Sequence, residues 1–117
     1  MINLLRWSAR IAGLCAFILG MMLSRFPQVH AHMALGGIVA IAVAILAAAA
    51  LSARVKAPAA IAALVWAAVL VYVGIMQNRW LPGDSHWVVE VVHALLGIGA
   101  IGLAEMLAGA ITRKRPA

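Results

Sequence analysis

Apolar residues follow one another along this chain in four long runs, separated by short segments that hold most of the charged residues and the prolines. The runs cover residues 4–23, 32–51, 58–77 and 87–111. About 20 mostly apolar residues are needed to cross the hydrocarbon core of a bilayer. Because backbone N–H and C=O groups find no water partner there, each run is predicted to be a transmembrane helix.

The segments between the runs contain turn-forming residues. Phe26-Pro27 lies between the first two runs, and Pro82-Gly83 lies between the last two. Short connections favour neighbouring helices that run in opposite directions. The predicted fold is therefore all-α: an integral membrane four-helix up-down-up-down bundle, with residues 1–117 as a single domain.

The composition argues against a soluble fold. Hydrophobic residues make up 67% of the 117 positions, and only three side chains are acidic. A soluble domain of this size would not carry so much apolar sequence. The first run is also too long for the apolar region of a signal peptide, so we expect it to remain as a helix.

The basic residues are distributed unequally and predict an orientation. Seven of the nine lie at the chain ends or between the second and third runs: Arg6, Arg10, Arg54, Lys56, Arg113, Lys114 and Arg115. The positive-inside rule places these segments in the cytoplasm, which gives an N-in, C-in protein of the bacterial inner membrane. The net charge of +6 follows from this excess of basic residues, and it would attract the chain to anionic lipid. Nucleic-acid binding is not expected, because no soluble basic module exists to carry it.

Four histidines lie at the opposite, outer end: His30, His32, His86 and His93. Imidazole is costly in lipid, so such residues usually face a cavity, a partner or a ligand. Two of them begin similar five-residue motifs, His32-Met-Ala-Leu-Gly and His93-Ala-Leu-Leu-Gly. His30 and His86 are expected to lie higher, in the loops.

His32 and His93 are predicted to lie at the same depth. His32 precedes Arg54 by 22 residues and His93 precedes Arg113 by 20, so at ~1.5 Å per residue their heights differ by ~3 Å. The second and fourth helices of an up-down bundle are parallel and diagonal. Two imidazoles placed in this way can bind both faces of one iron, as a six-coordinate heme b requires. We therefore predict one heme b with these two axial ligands.

Other residues could serve such a heme. Gly36 and Gly97 each lie four residues after one of the two histidines, on the same helix face, and would leave room for a flat macrocycle. Arg25 and Arg79 lie in the outer connections and could pair with heme propionates, or act simply as interfacial anchors.

Two acidic residues of the fourth run have more than one interpretation. Glu90 lies one turn before His93 and could accept a hydrogen bond from an imidazole N–H or a proton from quinol. Alternatively, it is a solvated carboxylate at the membrane interface. Glu105 lies deeper, and an ion pair with Arg6 or Arg10 is the expected arrangement, ahead of a role in a proton path.

A four-helix bundle with single histidines on its helices resembles the small membrane b-type cytochromes. Examples are the bacterial b-type diheme quinol oxidoreductases and the heme-bearing anchors of succinate dehydrogenase. The resemblance covers the whole architecture, but in motif terms only the two His-x-x-Leu-Gly phrases. The diheme family has a histidine pair near each membrane face, whereas this chain has no histidine on its cytoplasmic half. The resemblance implies electron transfer with quinol or a partner redox protein, and with quinol the chain would be a quinol-linked oxidoreductase.

Two alternatives stay open. One is a copper-binding membrane protein, because methionine and histidine both suit copper and four methionines lie near the outer histidines: Met21, Met22, Met33 and Met76. The other is a non-catalytic accessory or assembly subunit, within a homo-oligomer or a larger redox complex. A small multidrug transporter is disfavoured, because residues 12–18 of the first run carry no acidic side chain.

Overall fold

Four helices make up most of the protein in the computed structural model, which describes residues 1–23 and 28–114. The helices are α1 (Ile2–Met22), α2 (Val29–Ser52), α3 (Ala57–Met76) and α4 (His86–Lys114). Two single 3₁₀ turns, Gln77–Arg79 and Gly83–Ser85, connect α3 to α4, and no strand occurs in the described part of the chain.

All four helices are long and apolar enough to cross a membrane, as in a multi-pass membrane protein. The prediction of an all-helical chain with four such helices is confirmed. The expectation that His30 and His86 lie in loops is wrong, because α2 begins at Val29 and α4 begins at His86 itself. In the first turn of α2, the His32 N–H donates a hydrogen bond to the Gln28 carbonyl at 3.0 Å. The helical hydrogen bonds of α2 therefore begin upstream of the apolar run. The predicted turn at Phe26-Pro27 lies outside the described residues.

The helices pack around a central pair. α2 and α4 contact each other, and each also contacts both α1 and α3, whereas α1 and α3 do not meet in the described structure. The core consists largely of alanine, and its bulkiest fully buried side chains are Val43, Leu46 and Leu107. Small residues let helix backbones approach closely, and close van der Waals contact is a main source of helix association in lipid.

Ion pairs and hydrogen bonds between helices are found at one end of the bundle. The Glu105 carboxylate of α4 accepts hydrogen bonds from Arg6 and Arg10 of α1, so the expected ion pair is present and includes both arginines. Lys114 Nζ donates to the Ala53 carbonyl at 2.6 Å, just beyond the last turn of α2. A cation at the end of a helix offsets the partial negative charge of its free carbonyls.

Candidate functional site

His32 of α2 and His93 of α4 lie next to each other, at the end of the bundle opposite the Glu105 ion pairs. The ring centroids of His32 and His93 lie 5.9 Å apart, and the ring planes are inclined by 60°. His32 is the fourth residue of α2 and His93 the eighth of α4. Each ring is half-buried, so the pair lies within the bundle rather than on its rim.

The His32 imidazole is oriented by α1. Its Nδ1 lies 2.8 Å from the Ala16 carbonyl oxygen. Because a carbonyl oxygen only accepts hydrogen bonds, Nδ1 carries the proton and donates it, which leaves Nε2 of the neutral ring with a free lone pair. Gly20 makes this approach possible, because a Cβ at that position would lie 3.1 Å from His32 Cε1. Metal-binding histidines commonly have their second nitrogen fixed in this way.

The His93 imidazole rests against α3. A Cβ added at Gly74 would lie 2.9 Å from His93 Cε1, closer than ordinary carbon contacts allow. The Nδ1 atom of His93 is buried and finds no hydrogen-bond partner within the described part of the chain. An unpaired buried polar atom costs about 1–3 kcal/mol, so the His93 ring is incompletely satisfied by the described part of the chain.

Open space lies beside the two glycines that follow the histidines. A Cβ built on Gly36 or on Gly97 meets no atom within 4 Å. Both positions continue the helix faces that carry the histidines, and one turn further along these faces Ala40 and Ala100 are buried. Along each helix, the open position at the glycine therefore lies between the histidine and the packed part of the core.

His86 and Glu90 form a separate contact at the start of α4. His86 Nδ1 lies 3.2 Å from the Trp80 carbonyl oxygen, and its Nε2 lies 3.9 Å from a Glu90 carboxylate oxygen. The Glu90 side chain is 66% exposed. The suggested hydrogen bond from a His93 N–H to the Glu90 carboxylate is not formed, because the carboxylate lies beside His86, one turn earlier in α4.

The remaining predicted ligands are peripheral. Arg79 is exposed in the first 3₁₀ turn, and His30 is exposed in the first turn of α2. Arg25 lies outside the described residues. The methionines considered for copper include Met21 and Met33, whose side chains are 72% and 57% exposed. No group of three or more His, Cys, Asp or Glu residues is placed for a metal ion in residues 1–23 and 28–114.

The structure therefore brings together two imidazoles, and each could offer one nitrogen to a metal. Two protein ligands suit an iron that receives its other four ligands from a porphyrin, because each of its two axial positions then needs only one side chain. Comparisons of the chain with known protein families, curated proteins and solved structures found no match.

Three residues of this site are not apparent from the sequence. Ala16, Gly20 and Gly74 hold the imidazoles in place, but they belong to α1 and α3 and carry no ligand atoms in their side chains. The sequence signal for Gly20 and Gly74 is that each lies near the end of its run, close to the predicted depth of the histidines.

Proposed function

We propose that this chain is a membrane b-type cytochrome that carries one heme between His32 and His93, near the outer face. The spacing of the two rings is the main support. Two imidazoles on neighbouring helices with their rings this close would hold one metal between them, and a six-coordinate heme iron needs one such ligand on each face. The observed distance is 5.9 Å.

The residues around the pair fit this role. The Ala16 carbonyl accepts a hydrogen bond from His32 Nδ1, which would leave His32 Nε2 for the iron, and Gly36 and Gly97 would leave room beside the histidines for a macrocycle. Arg79, which is exposed in the first 3₁₀ turn, and Arg25 are the candidate partners of the heme propionates. When bound, the heme supplies one-electron transfer, and the protein contributes ligands, orientation and exclusion of water.

We further propose an up-down-up-down, N-in and C-in arrangement in a bacterial inner membrane. The contacts of Glu105 with Arg6 and of Lys114 with Ala53 support it, because they gather the start of α1 and the ends of α2 and α4 at one side. The bias of basic residues then assigns that side to the cytoplasm. The histidine pair would lie near the outer face, where quinol or an external redox protein could exchange electrons with it.

Absorption spectra of the purified protein, oxidised and dithionite-reduced, test the cofactor. We expect a low-spin Soret band with sharp α and β bands, and we expect His93→Ala to lose the heme or make it high-spin. His30→Ala is the matched control, because His30 is exposed at the same end, and it should leave the spectrum unchanged. Absence of a Soret band from heme-replete cells would reject the proposal and favour an accessory subunit.

Quinol mixing tests the activity separately from the cofactor. Oxidised protein in liposomes should be reduced by an added quinol, since the site lies close to the outer face. If quinol fails to reduce it while a soluble external donor succeeds, the quinol-linked role is wrong and electron exchange with a partner protein replaces it.

A further inference from the structure

The ion-pair cluster at the other end of the bundle carries excess positive charge. Arg6 and Arg10 of α1 share a single carboxylate, Glu105 of α4. Two guanidinium groups and one carboxylate leave one unit of positive charge. A net charge is costly within a membrane-spanning segment unless a counter-charge or water reaches it.

The two arginines use their donors differently. Arg10 donates from both Nε and Nη2 to the Glu105 carboxylate, whereas Arg6 donates from Nε alone, at 2.7 Å. A guanidinium has five N–H groups, so Arg6 keeps four that make no hydrogen bond to the described protein atoms. Both arginine side chains are 35% exposed, which leaves these donors accessible from outside the bundle.

The position of Arg6 suits the headgroup layer. Arg6 lies four residues from the first residue of α1, about 6 Å along the axis, and Arg10 lies one turn deeper. Arginine side chains near helix ends extend toward the membrane surface. Trp7 adds an exposed indole, and the Arg10 guanidinium lies 4.7 Å from its ring centroid. An aromatic ring beside basic groups is typical of the bilayer interface.

We propose that Arg6, supported by Arg10 and Trp7, binds the phosphate of an anionic phospholipid in the leaflet at this end of the bundle. Glu105 holds Arg10 through two hydrogen bonds, and Arg6 is free to present its Nη groups to phosphate oxygens. Guanidinium–phosphate pairs are frequently bidentate, which distinguishes such a site from general attraction to a charged surface. This inference does not depend on heme.

Native mass spectrometry of the full chain tests the site. The protein is incubated in detergent with equal amounts of phosphatidylglycerol and phosphatidylcholine, and the bound lipids are counted. We expect a preference for phosphatidylglycerol that falls about five-fold in Arg6→Gln, the loss of one basic contact at the surface. Arg6→Lys should retain part of the preference. Circular dichroism should show that Arg6→Gln still folds, because Arg10 continues to pair with Glu105.

Arg54→Gln is the matched control, since Arg54 is an exposed basic residue at the same end and its side chain takes no part in the cluster. It should leave the preference unchanged. Equal losses in Arg6→Gln and Arg54→Gln would mean diffuse charge attraction and overturn the site. No preference in the unmodified chain would also overturn it, as would displacement of the lipid by excess inorganic phosphate, which would indicate a free-anion site.

Discussion

Gly74→Ala tests the geometry of the histidine pair without touching a ligand. The added Cβ would lie 2.9 Å from His93 Cε1, whereas carbon atoms in contact are separated by about 3.5–4.0 Å. The ring or the helix must therefore move by about 0.6–1.1 Å. Metal–ligand distances tolerate only about 0.2 Å, so a shift of this size should disrupt axial ligation by His93.

Stability should change less than the spectrum in this variant. Overpacking costs about 1–3 kcal/mol, and replacing glycine by alanine within a helix returns up to about 1 kcal/mol. Gly37→Ala is the control, because a Cβ there meets nothing within 4 Å. We expect Gly74→Ala to convert low-spin heme largely to high-spin, with Gly37→Ala unchanged. An unaltered low-spin spectrum in Gly74→Ala would refute the placement of His93 against α3.

Glu105→Gln should lower the midpoint of thermal unfolding in detergent, because it leaves Arg6 and Arg10 of a membrane helix without a carboxylate. Glu90→Gln should leave the midpoint unchanged, because the Glu90 side chain is 66% exposed. Equal midpoints for the two variants would show that the Glu105 ion pairs add no stability. In a Cys15→Ser background, a cysteine at Asp84 should react with an impermeant reagent on intact cells and one at Ala53 only after permeabilisation. The reverse labelling would contradict the proposed orientation.

The four helices could be predicted from the sequence because lipid leaves the backbone no alternative. Uninterrupted apolar runs define helices by themselves when water is absent. Their starts were less predictable. α2 begins at Val29, before the apolar run, and neither α1 nor α2 has a side-chain cap that would mark its first residue.

The candidate site was predictable only where residues carry ligand atoms. The number of residues between each histidine and the basic end of its helix predicts that His32 and His93 lie at similar depth, because the rise of a helix per residue is constant. Gly20 and Gly74 could not be found in this way, because their role depends on which face of α1 and α3 meets each ring. The pairing of Glu90 beside His86 also depends on side-chain direction, since both histidines lie one turn away from it.

Electron paramagnetic resonance of the oxidised, full-length protein, combined with a heme-to-protein ratio, tests the central claim most directly. We predict one heme per chain and a low-spin ferric signal typical of two imidazole ligands, and we expect both to be lost in His32→Ala. A heme-free protein from heme-replete membranes, a high-spin signal, or a low-spin signal that survives His32→Ala would contradict it.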